Sequence, residues 1–262
     1  MFVHNLNPEL FALGPFHVRW YGLAWLFGFI FSYWFLRRLA KKGGIKNLTP
    51  DSLDDLMLYM LIAVIAGARL GHVLFYNAPY YFANPGQILA VWNGGLAFHG
   101  GLIGGVLAGW LFCRKHKVNA AQLADAIVIP VALGLFFGRI ANFINGELYG
   151  VAANVPWCVY FQGAEGCRHP SQLYEAAKNL FLFSALWWIG SRPNLKPGTT
   201  FWGFVAGYGF LRSVITVFWR DAAATDPVLF GLPVSLILTL AMAVLGFGML
   251  VRMYLLPPAQ RR

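Results

Sequence analysis

Charged residues are scarce in this chain, at 11% of its 262 residues, whereas 58% are hydrophobic. Soluble domains usually carry about 25% charged residues, so a water-soluble fold could not bury this much apolar surface. Acidic residues are the scarcest, with 10 Asp and Glu against 20 Lys and Arg. The net charge of +10 would suit nucleic acid, but the basic residues cluster beside apolar runs, so we predict a topology signal and no nucleic-acid partner.

Several motifs of known chemistry are also missing. The chain has no Cys/His spacing typical of a metal site, no Walker-type phosphate loop and no Gly-x-Ser-x-Gly elbow. These chemistries are therefore poorly supported. Of only three cysteines, Cys158 and Cys167 share one polar loop, and their spacing permits either a disulfide or two free thiols.

Long apolar runs, by contrast, are abundant. Each is long enough to cross a bilayer as a helix. The seven runs are residues 20–36, 56–76, 96–113, 124–144, 173–189, 201–218 and 229–251. They predict an all-α integral membrane protein, a seven-transmembrane-helix bundle that forms a single domain over residues 1–262. The first run has its basic cluster after it, so it is predicted to be a retained span and not a signal peptide.

The loops between the runs alternate in charge. Basic residues follow the first, third, fifth and seventh runs, the last group comprising Arg252, Arg261 and Arg262, whereas the alternate loops hold only Arg168 and Arg220. Cytoplasmic loops are enriched in Lys and Arg, so the N-terminus is predicted to be periplasmic and the C-terminus cytoplasmic.

Three arginines, Arg69, Arg139 and Arg212, fall within or near the ends of these runs. Each would cost about 2.5–3.5 kcal/mol at the bilayer centre if it faced lipid, so we expect them to face a polar cavity. The alternative is that each reaches a nearby interface or neutralises a helix C-terminus. Lys178, one turn into its run, is assigned to such snorkelling.

Small residues accompany these polar positions at the four-residue spacing that lets helices approach closely in lipid. The glycines concerned are Gly67, Gly71, Gly101, Gly105, Gly109, Gly134, Gly138, Gly203 and Gly207. Glycine is also common in membrane helices for no specific reason, so this coincidence only supports the assignment of a packed polar interior.

The richest polar stretch is residues 139–150. Arg139 and Asn142 are three residues apart and share a helix face, and Gly146 can end the helix so that Glu147 folds back over it. His99 lies among paired glycines that allow an irregular start to its helix. A lone histidine in an apolar span is often a satisfied core residue, but this setting favours a site role.

These stretches resemble the bacterial prolipoprotein diacylglyceryl transferases. The matching pieces are WYGL (20–23), GARLG (67–71), FHGGLIG (98–104), RIANFINGELYG (139–150), RHPSQLYE (168–175) and YG (208–209) followed by Arg212. The resemblance implies seven spans in the bacterial cytoplasmic (inner) membrane and no metal or nucleotide cofactor. It implies transfer of a diacylglyceryl group from phosphatidylglycerol to the lipobox cysteine of a prolipoprotein, with release of glycerol phosphate.

We assign roles on this basis. His99 is predicted to activate the cysteine thiol as a base, and Arg139 and Arg212 to hold the phosphate, because arginine pairs well with phosphate oxygens in a dry site. Substrate-binding roles are assigned to a second group that orients or contacts the lipid head group, consisting of Asn142, Glu147, Tyr21 and Arg69. Residues 168–175 can equally be structural, with His169, Pro170 and Ser171 capping the next helix and Glu175 closing a capping box, and they are not placed in the catalytic set.

The chain departs from the family after Arg212. The family usually has a glutamate four residues on and an arginine three beyond that, whereas this chain has Thr216 and Trp219, with Arg220 one place late. Either the site is altered or Asp221 or Arg220 compensates. Two rival functions are an anion or lipid transporter, which would also use buried cations among glycine-rich helices, and a family member with reduced or redirected activity.

Overall fold

The computed structural model describes residues 2–13, 16–221 and 226–256, so Arg261 and Arg262 of the predicted cytoplasmic tail lie outside the described residues. The described chain is predominantly helical. Its α-helices are α1 (Trp20–Lys41), α2 (Pro50–Phe75), α3 (Ala78–Ala83), α4 (Phe98–His116), α5 (Ala120–Ile144), α6 (Ser171–Gly190), α7 (Thr199–Phe218) and α8 (Val234–Tyr254).

Each of the seven predicted apolar runs coincides with one long helix. Four helices, α2, α5, α7 and α8, are long and apolar enough to cross a membrane. Their outer faces remain apolar, since side chains such as Ile62 and Val244 are 58% and 74% exposed. This surface suits lipid and not water. The count of seven spans and the orientation of the termini stay predictions.

Three two-stranded sheets, which were not predicted, accompany the helices in the part of the chain that the structure describes. Strand β1 (Phe2–Val3) pairs in parallel with β4 (Val159–Tyr160). The antiparallel pairs are β2 (Glu9–Leu13) with β3 (Phe16–Arg19), and β5 (Val228–Leu229) with β6 (Leu232–Pro233). Phe230 and Gly231 both have positive φ, which builds the tight turn between β5 and β6.

The chain divides into two compact units, which we describe separately. The first contains residues up to Ser32 and from Ala124 onward, and the second runs from Tyr33 to Leu123. Helices α1 and α5 each pass from one unit into the other. The prediction of a single membrane domain stays a prediction.

Glycines allow close helix packing within each unit. In the second unit a Cβ on Gly104 would collide with the carbonyl oxygen of Ala63, so α4 packs almost backbone to backbone on α2. The predicted Gly67, Gly71, Gly101 and Gly105 belong to the same contact, whereas Gly109 and Gly138 face open space. In the first unit α7 and α8 approach through Gly209 and Gly246, which were not predicted.

We expect Gly104→Val to lower the free energy of unfolding by about 1–3 kcal/mol, because its side chain cannot fit against Ala63 without moving α4. The measurement is the Tm of purified protein in detergent. Gly109→Val on the same helix is the matched control, since nothing lies within 4 Å of a Cβ there. Equal Tm values for the two variants would contradict the packing account.

Candidate functional site

Helix α5 ends in a glycine turn that bends the chain back over the helix. Gly146 has φ +69°, the amide of Gly146 donates to Phe143 O at 3.0 Å, and the amide of Glu147 donates to Asn142 O at 3.1 Å. This pair of bonds is the Schellman motif, which places glycine at the left-handed position after the helix. The predicted end of the helix at Gly146 and the return of Glu147 are both confirmed.

The returning carboxylate of Glu147 is held by amides. Oε1 of Glu147 accepts from Asn142 Nδ2 at 2.8 Å and from Asn145 Nδ2 at 3.1 Å. The backbone oxygen of Glu147 accepts from Gln172 Nε2 at 2.7 Å. Asn142 in turn accepts from Arg139 Nη1 at 3.4 Å. A chain of hydrogen bonds therefore orients Arg139 from the end of its own helix.

A buried carboxylate, that of Glu175 on α6, lies at the centre of the cluster. Its side chain is 2% exposed and faces three cations: Oε1 forms an ion pair with Arg212 of α7, and Oε2 lies 3.0 Å from Lys178 Nζ and 3.9 Å from Arg139 Nε. Lys178 Nζ also lies 3.8 Å from the centre of the Tyr208 ring. We name these four charged residues, Arg139, Glu175, Lys178 and Arg212, the charge cluster.

Two predictions about α6 were wrong. Lys178 does not snorkel, because its side chain is only 3% exposed and its ammonium group is bound to Glu175. Glu175 closes no capping box, since Pro170 occupies the cap position and no side chain caps the helix, and Ser171 Oγ donates instead to Leu148 O at 3.1 Å.

A signal in the sequence could have found these residues. Gln172, Glu175, Lys178 and Asn179 recur at spacings of three and four, so they form one polar stripe on an otherwise apolar helix. All four are buried. A snorkelling residue lies near one end of a membrane helix, where its charged group can reach the interface. A polar stripe that continues over two turns extends away from that end, so it indicates a face directed to the protein interior.

The charge cluster has a formal excess of two positive charges, because three basic side chains surround one carboxylate. Buried cations are normally paired or bound to a ligand, since desolvated charge without a partner is costly. Arg139, 19% exposed at its side chain, is the most accessible of the three. The arrangement therefore suits an anion that arrives beside Arg139 and Arg212.

Arg220, which comes one position after the place where the family usually has an arginine, follows a widened last turn of α7. The amides of Trp219 and Arg220 both donate to Ile215 O, at 3.0 and 3.1 Å, so the last turn of α7 accommodates one additional residue. Arg220 Nη1 then lies 3.6 Å from Asp226 Oδ2. Burial lowers the pKa of Arg220, while the carboxylate of Asp226 opposes this shift and the charge of Arg139 adds to it.

Arg220 and Asp221, the two residues predicted as possible replacements for the family's usual glutamate and arginine, have different surroundings. Arg220 is near enough to Arg139 to feel its charge, whereas Asp221 is engaged elsewhere, with its Oδ2 3.0 Å from Arg168 Nη1. Thr216 is buried, and its hydroxyl has no hydrogen-bond partner among the described residues. Arg212 receives its carboxylate partner from Glu175 of the neighbouring helix, and not from position 216 of its own.

The loop between α5 and α6 is cross-linked. Cys158 and Cys167 form a disulfide, which settles the alternative left open by the sequence. Backbone hydrogen bonds tie the loop to the end of α7, with the amide of Val151 donating to Trp219 O at 3.1 Å. Nδ1 of His169 lies 3.0 Å from Oη of Tyr174, within hydrogen-bond distance.

Burial lowers the pKa of His169 in this loop. The unfolded chain therefore binds more protons than the folded one near the usual histidine pKa of about 6.5. The stabilising contribution of neutral His169 is present above that pH and is lost as the pH falls through the folded pKa. We expect Tm to fall on acidification from about pH 7 to 5, and His169→Phe to show a smaller fall. Parallel Tm curves for the two proteins would contradict this.

Arg69 belongs to the second unit, and its guanidinium group is fully used there. Its donors reach five backbone carbonyl groups, those of Gln87, Ile88, Ala90, Gly94 and Gly95. The group also stacks on the Tyr81 ring at 4.9 Å. Arginine has five N–H donors, and all of them are used by these loop carbonyls. These bonds give Arg69 a structural role in its own unit, and its predicted substrate-binding role stays a prediction.

His99 also belongs to the second unit, in the first turn of α4, and is exposed. The irregular start of its helix is confirmed, since Gly94 and Gly95 have φ of +82° and +73°. Both glycine carbonyls bind Arg69, which fixes the turn that leads into α4. Tyr21, in the first unit, contacts the Trp25 ring and is 39% exposed. The roles of His99 and Tyr21 stay predictions.

Comparisons with known proteins agree on one family. Residues 8–252 match the family model described as prolipoprotein diacylglyceryl transferase. The chain is 42% identical over 254 residues to a phosphatidylglycerol–prolipoprotein diacylglyceryl transferase of Rhodospirillum centenum, a match that covers 94% of this chain and 91% of that one. It is 43% identical over 251 residues to the protein of the same name from Geobacter sulfurreducens, with 94% and 95% covered.

Proposed function

The chain belongs to the prolipoprotein diacylglyceryl transferase family, and from that premise we propose that its charge cluster holds the lipid phosphate during transfer. The protein is a transferase that moves the diacylglyceryl group of phosphatidylglycerol to a prolipoprotein. The observation that carries our proposal is the excess of positive charge around the buried carboxylate of Glu175.

The reaction requires one bond to form and one to break. The sulfur of the prolipoprotein's lipobox cysteine attacks the glyceryl carbon that bears the phosphate, and a C–S thioether forms. The C–O bond to phosphate breaks, and glycerol phosphate leaves with that electron pair. The thiol proton passes to a base, for which we propose His99, since a free thiol with pKa near 8.5 is mostly protonated at neutral pH.

Charge builds on the phosphate as the reaction proceeds. The phosphodiester of the lipid carries one negative charge, whereas the departing phosphate monoester tends toward two. A site with two excess positive charges therefore stabilises the leaving group more than the intact lipid, and such differential binding accelerates the chemical step. Arg139 is the first candidate for direct contact because it is the most accessible cation, and Arg212 is the second.

The remaining assignments concern orientation. Asn142 and Glu147 would hold Arg139 in place and border the head group, an assignment supported by the hydrogen bonds from Arg139 to Asn142 and from Asn142 to Glu147. Tyr21 would contact the lipid head group. We place no metal and no cofactor in the site, because arginine can neutralise the leaving phosphate without one.

We place the protein in the bacterial cytoplasmic membrane with seven spans, its N-terminus periplasmic and its C-terminus cytoplasmic. The disulfide between Cys158 and Cys167 supports a periplasmic position for the loop between α5 and α6, since disulfides persist in oxidising compartments. The basic residues on the opposite loops support the same orientation.

The experiment combines purified protein, phosphatidylglycerol vesicles and a synthetic peptide that contains a lipobox cysteine. We expect the peptide to gain the mass of one diacylglyceryl group, and the same peptide with serine in place of cysteine to gain none. Folded protein that leaves the cysteine peptide unchanged, under conditions where the Geobacter sulfurreducens relative modifies it, would contradict the proposal. Uptake of a labelled anion into proteoliposomes without lipid product would favour the transporter.

A further inference from the structure

Glu175 stands out because it is the only carboxylate among the described residues that forms ion pairs with both proposed phosphate ligands. Nothing in the reaction requires a carboxylate at a phosphate site, and a negative charge there opposes binding of the substrate. Its burial at 2% exposure is also costly unless it is well paired. A group kept in place despite both costs needs a function.

We propose that Glu175 is a positioning residue that aligns the guanidinium groups of Arg212 and Arg139 for the phosphate, and that Lys178 is the cation that holds Glu175 in place. The inference rests on the proposed function, because it assumes that these arginines bind the phosphate. Glu175 acts through the arginines and does not touch the substrate.

The geometry of Glu175 gives each oxygen a separate partner set. Oε1 pairs with Arg212, whereas Oε2 receives a hydrogen bond from Lys178 Nζ at 3.0 Å and lies 3.9 Å from Arg139 Nε. One planar carboxylate therefore links two arginines from different helices, α5 and α7. A guanidinium group fixed by an ion pair on one edge keeps donors on its other edge for a ligand.

Lys178 is anchored from two sides. Its ammonium group lies against the Tyr208 ring at 3.8 Å and against Glu175 on the same helix, three residues away. Tyr208 is on α7, one turn before Arg212, so the lysine joins the same two helices as the ion pair between Glu175 and Arg212. Lysine offers a point charge and not a planar fork, which suits a fixed counter-ion better than recognition of phosphate.

The decisive variant is the double substitution Glu175→Gln with Lys178→Met. It removes one negative and one positive charge, so the cluster keeps its net charge and its attraction for an anionic lipid. Glu175→Gln alone would leave the buried Lys178 cation without its carboxylate partner and destabilise the fold, and the second substitution avoids this. The double variant loses the alignment of Arg212 and Arg139, together with the contact of the Lys178 ammonium group with the Tyr208 ring.

For the double variant in detergent we expect a Tm near that of the wild type, a KM for phosphatidylglycerol within about threefold of it, and a kcat at least about tenfold lower, because a misplaced catalytic group costs rate more than binding. Glu175→Gln alone is expected to lower both Tm and kcat. A double variant with the kcat of the wild type would overturn the proposal, since Glu175 would then only balance the charge of Lys178.

Where the double variant fails to fold, Glu175→Asp decides in its place. It preserves every charge and withdraws the carboxylate by one methylene, so kcat is expected to fall by at least about tenfold at unchanged Tm, and full kcat would overturn the proposal. Arg212→Gln separates this result from failure of the proposed function. If Arg212→Gln keeps full kcat, the phosphate assignment itself is wrong. If it loses kcat while the deciding Glu175 variant keeps it, only the positioning role is wrong.

Discussion

Arg212→Gln is expected to lower kcat for diacylglyceryl transfer by about 10²–10³, the usual loss when one charged or hydrogen-bonding donor to a developing anion is removed. The guanidinium of Arg212 is buried, and its ion pair with Glu175 fixes its orientation, so its loss would deprive the leaving phosphate of a preorganised donor. The fold should survive because Lys178 still neutralises Glu175 at 3.0 Å.

Two comparisons make the Arg212 experiment specific. Arg192→Gln is the control, since Arg192 lies in an exposed loop against the Trp188 ring and has no assigned role. Arg212→Lys keeps the charge but not the paired donors, so its kcat should fall between those of the wild type and Arg212→Gln. An Arg212→Gln protein that retains more than about a tenth of wild-type kcat would contradict a direct role for Arg212.

His99→Gln is expected to lower kcat by about 10²–10⁴, the range for removal of a general base. The loss should shrink as the pH rises toward the thiol pKa of about 8.5, because a larger fraction of the cysteine is then already ionised. This partial recovery is particular to a base, since loss of a purely structural histidine would lower kcat equally at every pH. Initial rates at several pH values provide the measurement.

His17→Gln is the control for His99. His17 is half exposed, pairs with Glu9 at 2.9 Å in the β2–β3 hairpin, and has no assigned role. We expect it to keep wild-type kcat throughout the pH range. Full transfer by His99→Gln at neutral pH would remove His99 from the role of base and leave the phosphate assignment untouched.

The sequence predicted the residues that lie close together in the chain. Arg139, Asn142 and Glu147 were found because helix periodicity and a terminating glycine determine their relative positions within two turns. The helices themselves followed from apolar runs of sufficient length. The pairing of β1 with β4 was missed, because strands of two residues have no periodicity and the paired residues, such as Phe2 and Val159, are distant in sequence.

The misassigned residues depend on contacts between distant segments. A lysine near the end of an apolar helix usually reaches the interface, so snorkelling was predicted for Lys178. Its burial depends on Arg212 and Tyr208 of α7, which pack against its helix and are distant in sequence. The five carbonyl groups that bind Arg69 belong to residues 87–95 and converge on it through loop geometry, which no sequence pattern encodes. Buried charge was thus predictable, but its partners were not.

One measurement tests the central claim, that a cationic cluster receives a departing glycerol phosphate while the lipid moves to sulfur. Phosphatidylglycerol is labelled separately in its acyl chains and in its phosphate, and both labels are followed with purified protein and cysteine peptide. We predict equal amounts of acyl label on the peptide and phosphate label in soluble glycerol phosphate, with both lost together in Arg139→Gln and Arg212→Gln. Phosphate label that travels with the peptide, or transfer that persists in both arginine variants, would contradict the account.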